Sequence, residues 1–191
     1  MGTRSGLVAS LGLHVRTGRA LAIGLAGPFV APAILFRREL SLWEERLGSK
    51  GPYHTTLDLP WAEAMLAARP VAAEVEAIAA GCMRRLLAEL SEAGYRACGV
   101  GVVGSMGQDP ARIGNPHIRA HAAEGQLFRR AVELAAEDCG LRYHSCSPED
   151  AAAPADATLV ARAQGLGKGL IHPWRVDERS ATVAALIILS A

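Results

Sequence analysis

Residues 114–129 read G-N-P-H-I-R-A-H-A-A-E-G-Q-L-F-R and hold the groups best placed to do chemistry. His117, His121 and Glu124 stand at i, i+4 and i+7. On a helix turning about 100° per residue they share an arc of roughly 60°. The same arc continues through Gly125, Phe128, Ala131, Val132, Ala135 and Cys139, while Arg119, Gln126, Arg130, Glu133 and Glu137 lie opposite. The face that should be buried therefore begins with two imidazoles and a carboxylate. Burying such groups is costly unless they are paired or bind something. Two histidines and one carboxylate form a ligand set for zinc or non-haem iron. On this reading His117, His121 and Glu124 hold a divalent metal. His121 and Glu124 are catalytic, Glu124 acting as ligand or general base, and the reaction is metal-assisted hydrolysis. The alternative is a structural polar network, with His121 and Glu124 bonded to each other or to an arginine. The protein is then a non-catalytic binding or assembly module, and its apolar helix faces offer a homodimer surface.

The elements around this stretch give it a setting. Asn115-Pro116 predicts a helix start, Asn as N-cap and Pro at the first helical position, and Gly140 ends the helix. Ala97–Val103 reads as a buried strand and residues 104–114 as a loop. The trio therefore sits where a strand's carboxyl end meets a helix start, which is where ligands bind in open α/β sheets. The positive helix end favours neutral, metal-binding imidazole. Gly125 inside the helix predicts close approach of another backbone.

Upstream, Leu7–Val15 and Arg19–Leu25 alternate around the turn Arg16-Thr17-Gly18, a hairpin pattern. Ala33–Trp43 reads as a third strand with a charged middle, and residues 44–58 as a loop. Residues 60–93 show helical periodicity, with Trp61 and Met65 opening the apolar face and Pro70 predicted to kink it or start a second helix. Leu141–Cys146 reads as a strand, Glu149–Ala163 as a helix and Gly165–Pro173 as a glycine-rich connection. Asp177–Ala191 is either a helix or a strand. The order implies one α/β domain over residues 1–191, a mixed sheet with antiparallel hairpin strands followed by parallel strands, and helices packed on it.

Composition excludes more than it assigns. Half the 191 residues are hydrophobic, which rules out intrinsic disorder. The net charge of +1 and the 5% aromatic content argue against a dominant nucleic-acid footprint, so strong nucleic-acid binding is not expected. No apolar run reaches a membrane span. Four cysteines without a C-x-x-C pair point to free thiols in a reducing cytoplasm.

Weaker candidates are His14 on the first strand, Tyr53-His54 and Asp58 in a loop able to cover the site, and Asp177 and Glu178 opening the last segment. The run Gly165–Gly169 lacks phosphate-loop spacing and reads as a turn. No G-x-S-x-G elbow is present.

The element order, and the hairpin L-G-L-H-V-R-T-G-R-A-L-A-I-G-L, resemble the ribonuclease H-like superfamily and its opening segment. The resemblance implies a fold whose nucleases hold two divalent ions with clustered carboxylates. His14 takes the place of the first-strand acid, Val103-Gly104-Ser105 ends the fourth strand without one, and Asp177 or Glu178 alone matches a terminal acid. The chain thus looks like a branch without the usual catalytic carboxylates. The stretch 114–129 is also similar to one in bacterial proteins of no assigned activity.

Overall fold

The computed structural model describes residues 7–168 and 174–191. Strands β1 (Leu7–Arg16), β2 (Arg19–Ala26) and β3 (Ala33–Ser41) form an antiparallel meander. Helix α1 (Trp61–Glu92) leads to β4 (Tyr95–Val103), and α2 (Pro116–Asp138) leads to β5 (Tyr143–Cys146). Helices α3 (Pro148–Ala152), α4 (Ala157–Leu166) and α5 (Val176–Ser190) follow. The five-stranded sheet has the order β3-β2-β1-β4-β5, with β4 parallel to β1 and β5 parallel to β4.

Strand β1 is buried from Ala9 to Val15 because both faces of the sheet are covered. Leu11 and Leu13 meet Val75, Met83 and Leu86 of α1 and Phe128 and Val132 of α2. On the other face Ile23 and Leu25 of β2 pack with Leu159 of α4 and Val183 and Leu186 of α5. Helix α5 lies so close that a Cβ at Gly12 would overlap the Ala181 carbonyl, and one at Gly101 would overlap that of Ala184. This contact settles the last segment as a helix. Its β-branched residues permit a strand, but Ala181, Ala184 and Ala185 present the smooth face that a close-packed helix needs.

Four local expectations are corrected. Residues 61–92 form one helix with Pro70 inside it, and no second helix starts there. Its first turns point Ala64 and Ala68 inward, so Met65, expected on the buried face, is 43% exposed. The stretch expected as one helix over 149–163 is broken. Pro154 disfavours helical backbone at Ala153, which ends α3, and the Asp156 side chain accepts from Thr158 N to start α4. Residues 44–58 contain two short 3-10 turns, Glu45–Leu47 and His54–Thr56. Arg37, Arg38 and Glu39 in β3 are tolerated because β3 is an edge strand, where charge also blunts edge pairing. Residues 169–173, which hold the end of the expected glycine-rich connection, lie outside the described residues. No helix among those described is long and apolar enough to cross a membrane.

Candidate functional site

Helix α2 starts as its first residues dictate: the Asn115 side chain accepts from Ile118 N at 3.0 Å, with Pro116 following. Within its first two turns His117 and His121, expected on a buried face, lie exposed with their rings edge to face and their Nε2 atoms 3.1 Å apart. A third imidazole joins them from the 44–58 segment. His54 sits on the 3-10 turn, where His54 N donates to Gly51 O at 3.1 Å and Thr55 Oγ1 donates to Pro52 O at 2.8 Å. Its ring meets those of His117 and His121 edge to face, at centroid distances of 5.1 and 4.4 Å. Each of the three histidines offers a nitrogen, and these nitrogens all lie within 4.8 Å of one another.

Glu124 is 2% exposed and stands behind this set. Its Oε1 accepts from His54 Nδ1 at 2.9 Å and from His54 N at 3.2 Å. An ionised carboxylate only accepts, so in the neutral tautomer that fits this bond His54 has its proton on Nδ1 and the Nε2 lone pair faces away from Glu124. A metal-bound histidine is commonly oriented by a carboxylate in this way. Gly51 allows the arrangement, because a Cβ there would run into the Glu124 carboxylate.

The sequence trio is therefore brought to one place with a different division of parts. His117 and His121 share the cluster, while Glu124 reaches it through His54. Sequence reasoning placed Tyr53-His54 and Asp58 in a loop able to cover the site, with plain loop residues as the favoured reading, and gave His54 no ligand role. The available signal was the cost of Glu124, a carboxylate on a buried arc that needs a donor, but nothing in the spacing says which donor. Gly125 does mark a close approach, though to the Ser105 side chain, whose Cβ would lie 2.9 Å from a Cβ added there. Asp58 is not part of the cluster.

On the other face of the sheet a second polar group gathers. His14 is 4% exposed, and its Nε2 lies 3.7 Å from Asp177 Oδ1. Burial pushes its pKa below the usual histidine value; Asp177 opposes that, Arg16 reinforces it and Glu178 opposes it. Arg16 clamps Asp177 with two hydrogen bonds, of 2.8 and 2.7 Å, which hold the Asp177 carboxyl below its ordinary range. Arg37 donates to the buried Glu178.

No protein-family model matches the chain, and no curated protein matches it. Solved structures do. RuvC of T. thermophilus in complex with a Holliday junction substrate has 14% identity and a TM-score of 0.52, over 94% of this chain and 90% of that one. A Thermus thermophilus RuvC structure has 15% identity and the same TM-score, over 93% and 91%. The chain has the ribonuclease H-like fold. The mixed sheet expected from the element order is the one observed.

This likeness corrects the reading that strong nucleic-acid binding is not expected, since a RuvC with which the chain shares its fold is in complex with a Holliday junction substrate. A net charge of +1 averages the whole surface, whereas binding depends on where the charge lies. Here Arg16, Arg19, Arg37 and Arg175 line one cleft. The paired divalent ions of the fold's nucleases do not fit this chain. His14 is imidazole, Val103-Gly104-Ser105 carries no acid, and the carboxylates at α5 are engaged by Arg16 and Arg37.

Proposed function

We propose that this protein is a hydrolase that uses one transition-metal ion held by His54, His117 and His121, and that it acts on phosphodiester bonds of nucleic acid. The observation that carries the metal centre is the convergence of three imidazole nitrogens backed by one buried carboxylate. Tetrahedral coordination at about 2.0–2.1 Å per Zn–N bond needs nitrogens roughly 3.3 Å apart, and the His117–His121 pair stands at 3.1 Å. Three protein nitrogens leave a fourth position for substrate or water, the pattern of a catalytic rather than a structural site. A bound ion would supply a Lewis acid and lower the pKa of a water at that position.

The protein's own groups do the rest. Glu124 fixes the His54 tautomer and aims the ring. Asn115 and Pro116 set the helix start that presents His117 and His121. The exposure of both rings leaves the centre open to a large substrate. Nucleic acid as the substrate is supported by the fold shared with a junction-bound protein. A reducing cytoplasm suits a chain whose four cysteines are all free.

Elemental analysis of protein prepared without a histidine tag tests the centre. One zinc or similar ion per chain is expected, lost in His54→Ala and His121→Ala while circular dichroism stays unchanged. A metal-free protein that binds no added zinc, with His121→Ala merely destabilised, would replace this reading with the structural network. Cleavage of a labelled branched DNA, abolished by chelator and restored by zinc, tests the reaction.

A further inference from the structure

We propose that the cleft at the carboxyl end of β1, between the hairpin strands and the start of α5, is a binding site for a phosphate-class oxyanion. The cleft has a volume of about 560 Å³. Arg16, Arg19 and Arg37 reach it from three adjacent strands and Arg175 reaches it from the residue before α5. Arg16 spends Nε and Nη2 on Asp177, Arg19 spends Nη1 on Glu39, and Arg37 spends Nη2 on Glu178. A guanidinium carries five N–H donors, so each keeps donors for a ligand. Among the described residues no carboxylate pairs with Arg175. A fifth arginine on the lining, Arg38, pairs with Glu89. The other four against Glu39, Asp177 and Glu178 leave one net positive charge, and burial disfavours the charged form of His14.

A second observation comes from the floor. The His14 and Glu178 side chains are only 5% and 4% exposed. Among the described residues His14 Nδ1 and Glu178 Oε2 have no hydrogen-bond partner. Buried polar atoms are nearly always satisfied, so these orphans mark a place built around polar contents: His14 Nδ1 can donate to an anion, whereas Glu178 Oε2 is an acceptor and calls for a protonated phosphate oxygen. Guanidinium forks on several sides exclude a cation. They suit a tetrahedral oxyanion, which offers oxygens in several directions, better than a carboxylate, which offers two in one plane. This site lies across the sheet from the three-histidine centre and does not depend on it.

The test is titration calorimetry with inorganic phosphate, in chelator and at constant ionic strength, so that failure of the metal centre leaves the result intact. Saturable binding is expected. Arg175→Gln and Arg19→Gln, both at exposed positions, should each weaken it about tenfold, the loss of one charge-assisted hydrogen bond. His117→Ala should bind as the parent does. No saturable heat, or unchanged affinity in both arginine variants, overturns the proposal. Competition with short oligonucleotides then identifies the source. Displacement by any strand points to backbone phosphate, displacement only by 5′-phosphorylated strands points to a terminal phosphomonoester, and displacement by neither points to a small phosphate.

Discussion

The two faces of the sheet use histidine in opposite ways. On the α2 side His117 and His121 are exposed and His54 is half-covered, their nitrogens turned toward one another. On the α5 side His14 is sealed beneath arginines, with Nδ1 unpartnered. The carboxylates differ in step. Glu124 serves an imidazole, whereas Asp177 and Glu178 serve guanidiniums. The same residue types thus give a candidate ligand set on one side and a charge lattice on the other. Spacing does not decide which; what each carboxylate touches does.

The largest expected effect falls on the α5 side. Arg37→Ala leaves the Glu178 carboxylate buried without its cation, and breaking a buried pair by removing one partner is strongly destabilising. A loss of about 3 kcal/mol is expected, read from the urea midpoint, with metal content unchanged. A loss under about 1 kcal/mol, the range of a surface pair, would mean that Glu178 is solvated and the contrast between the faces is false.

Next is the carboxylate on the other face. Glu124→Gln keeps shape and removes charge, and should lower zinc affinity by about 10- to 100-fold, as loss of a metal-histidine's orienting partner does. Competition with a chromophoric chelator measures it. Unchanged affinity would reduce Glu124 to a packing residue.

The smallest effect is a pH dependence. His14 has its folded pKa below the ordinary histidine value of about 6.5 because burial disfavours its charged form. Below that value the unfolded chain binds the extra proton, so stability is complete above about pH 6.5 and falls as pH drops through the folded pKa. Asp177 acts in the same direction at lower pH, since its pKa is depressed by Arg16. Denaturant midpoints should decline between pH 7 and 5, and His14→Gln should flatten that decline. A flat parent profile would remove His14 from the account.

Much of the fold was legible because it depends on local signals. The alternation in β1 and β2, the Asn115-Pro116 start and Gly140 at the end of α2 all predict the elements observed. The identity of α5 was not legible, because its residues suit strand or helix and only contact with Gly12 and Gly101 decides between them. Helical spacing also placed His117, His121 and Glu124 on one arc. It could not supply His54, which arrives from a segment with no periodicity, and so it could not show that Glu124 stands one bond back from the cluster. The arginine cleft was equally hidden, since Arg16, Arg19, Arg37 and Arg175 converge only once three strands pair and α5 docks.

His54 and His117 are 63 positions apart in the chain (117 less 54). An ion gripped by both would work as a removable staple across that span. Closing a loop of this size in the unfolded chain is worth roughly 4 kcal/mol by the entropy relation used for cross-links, so melting temperature would follow the supply of metal, and the segment around Gly51 would be first to admit a protease when the ion is withdrawn.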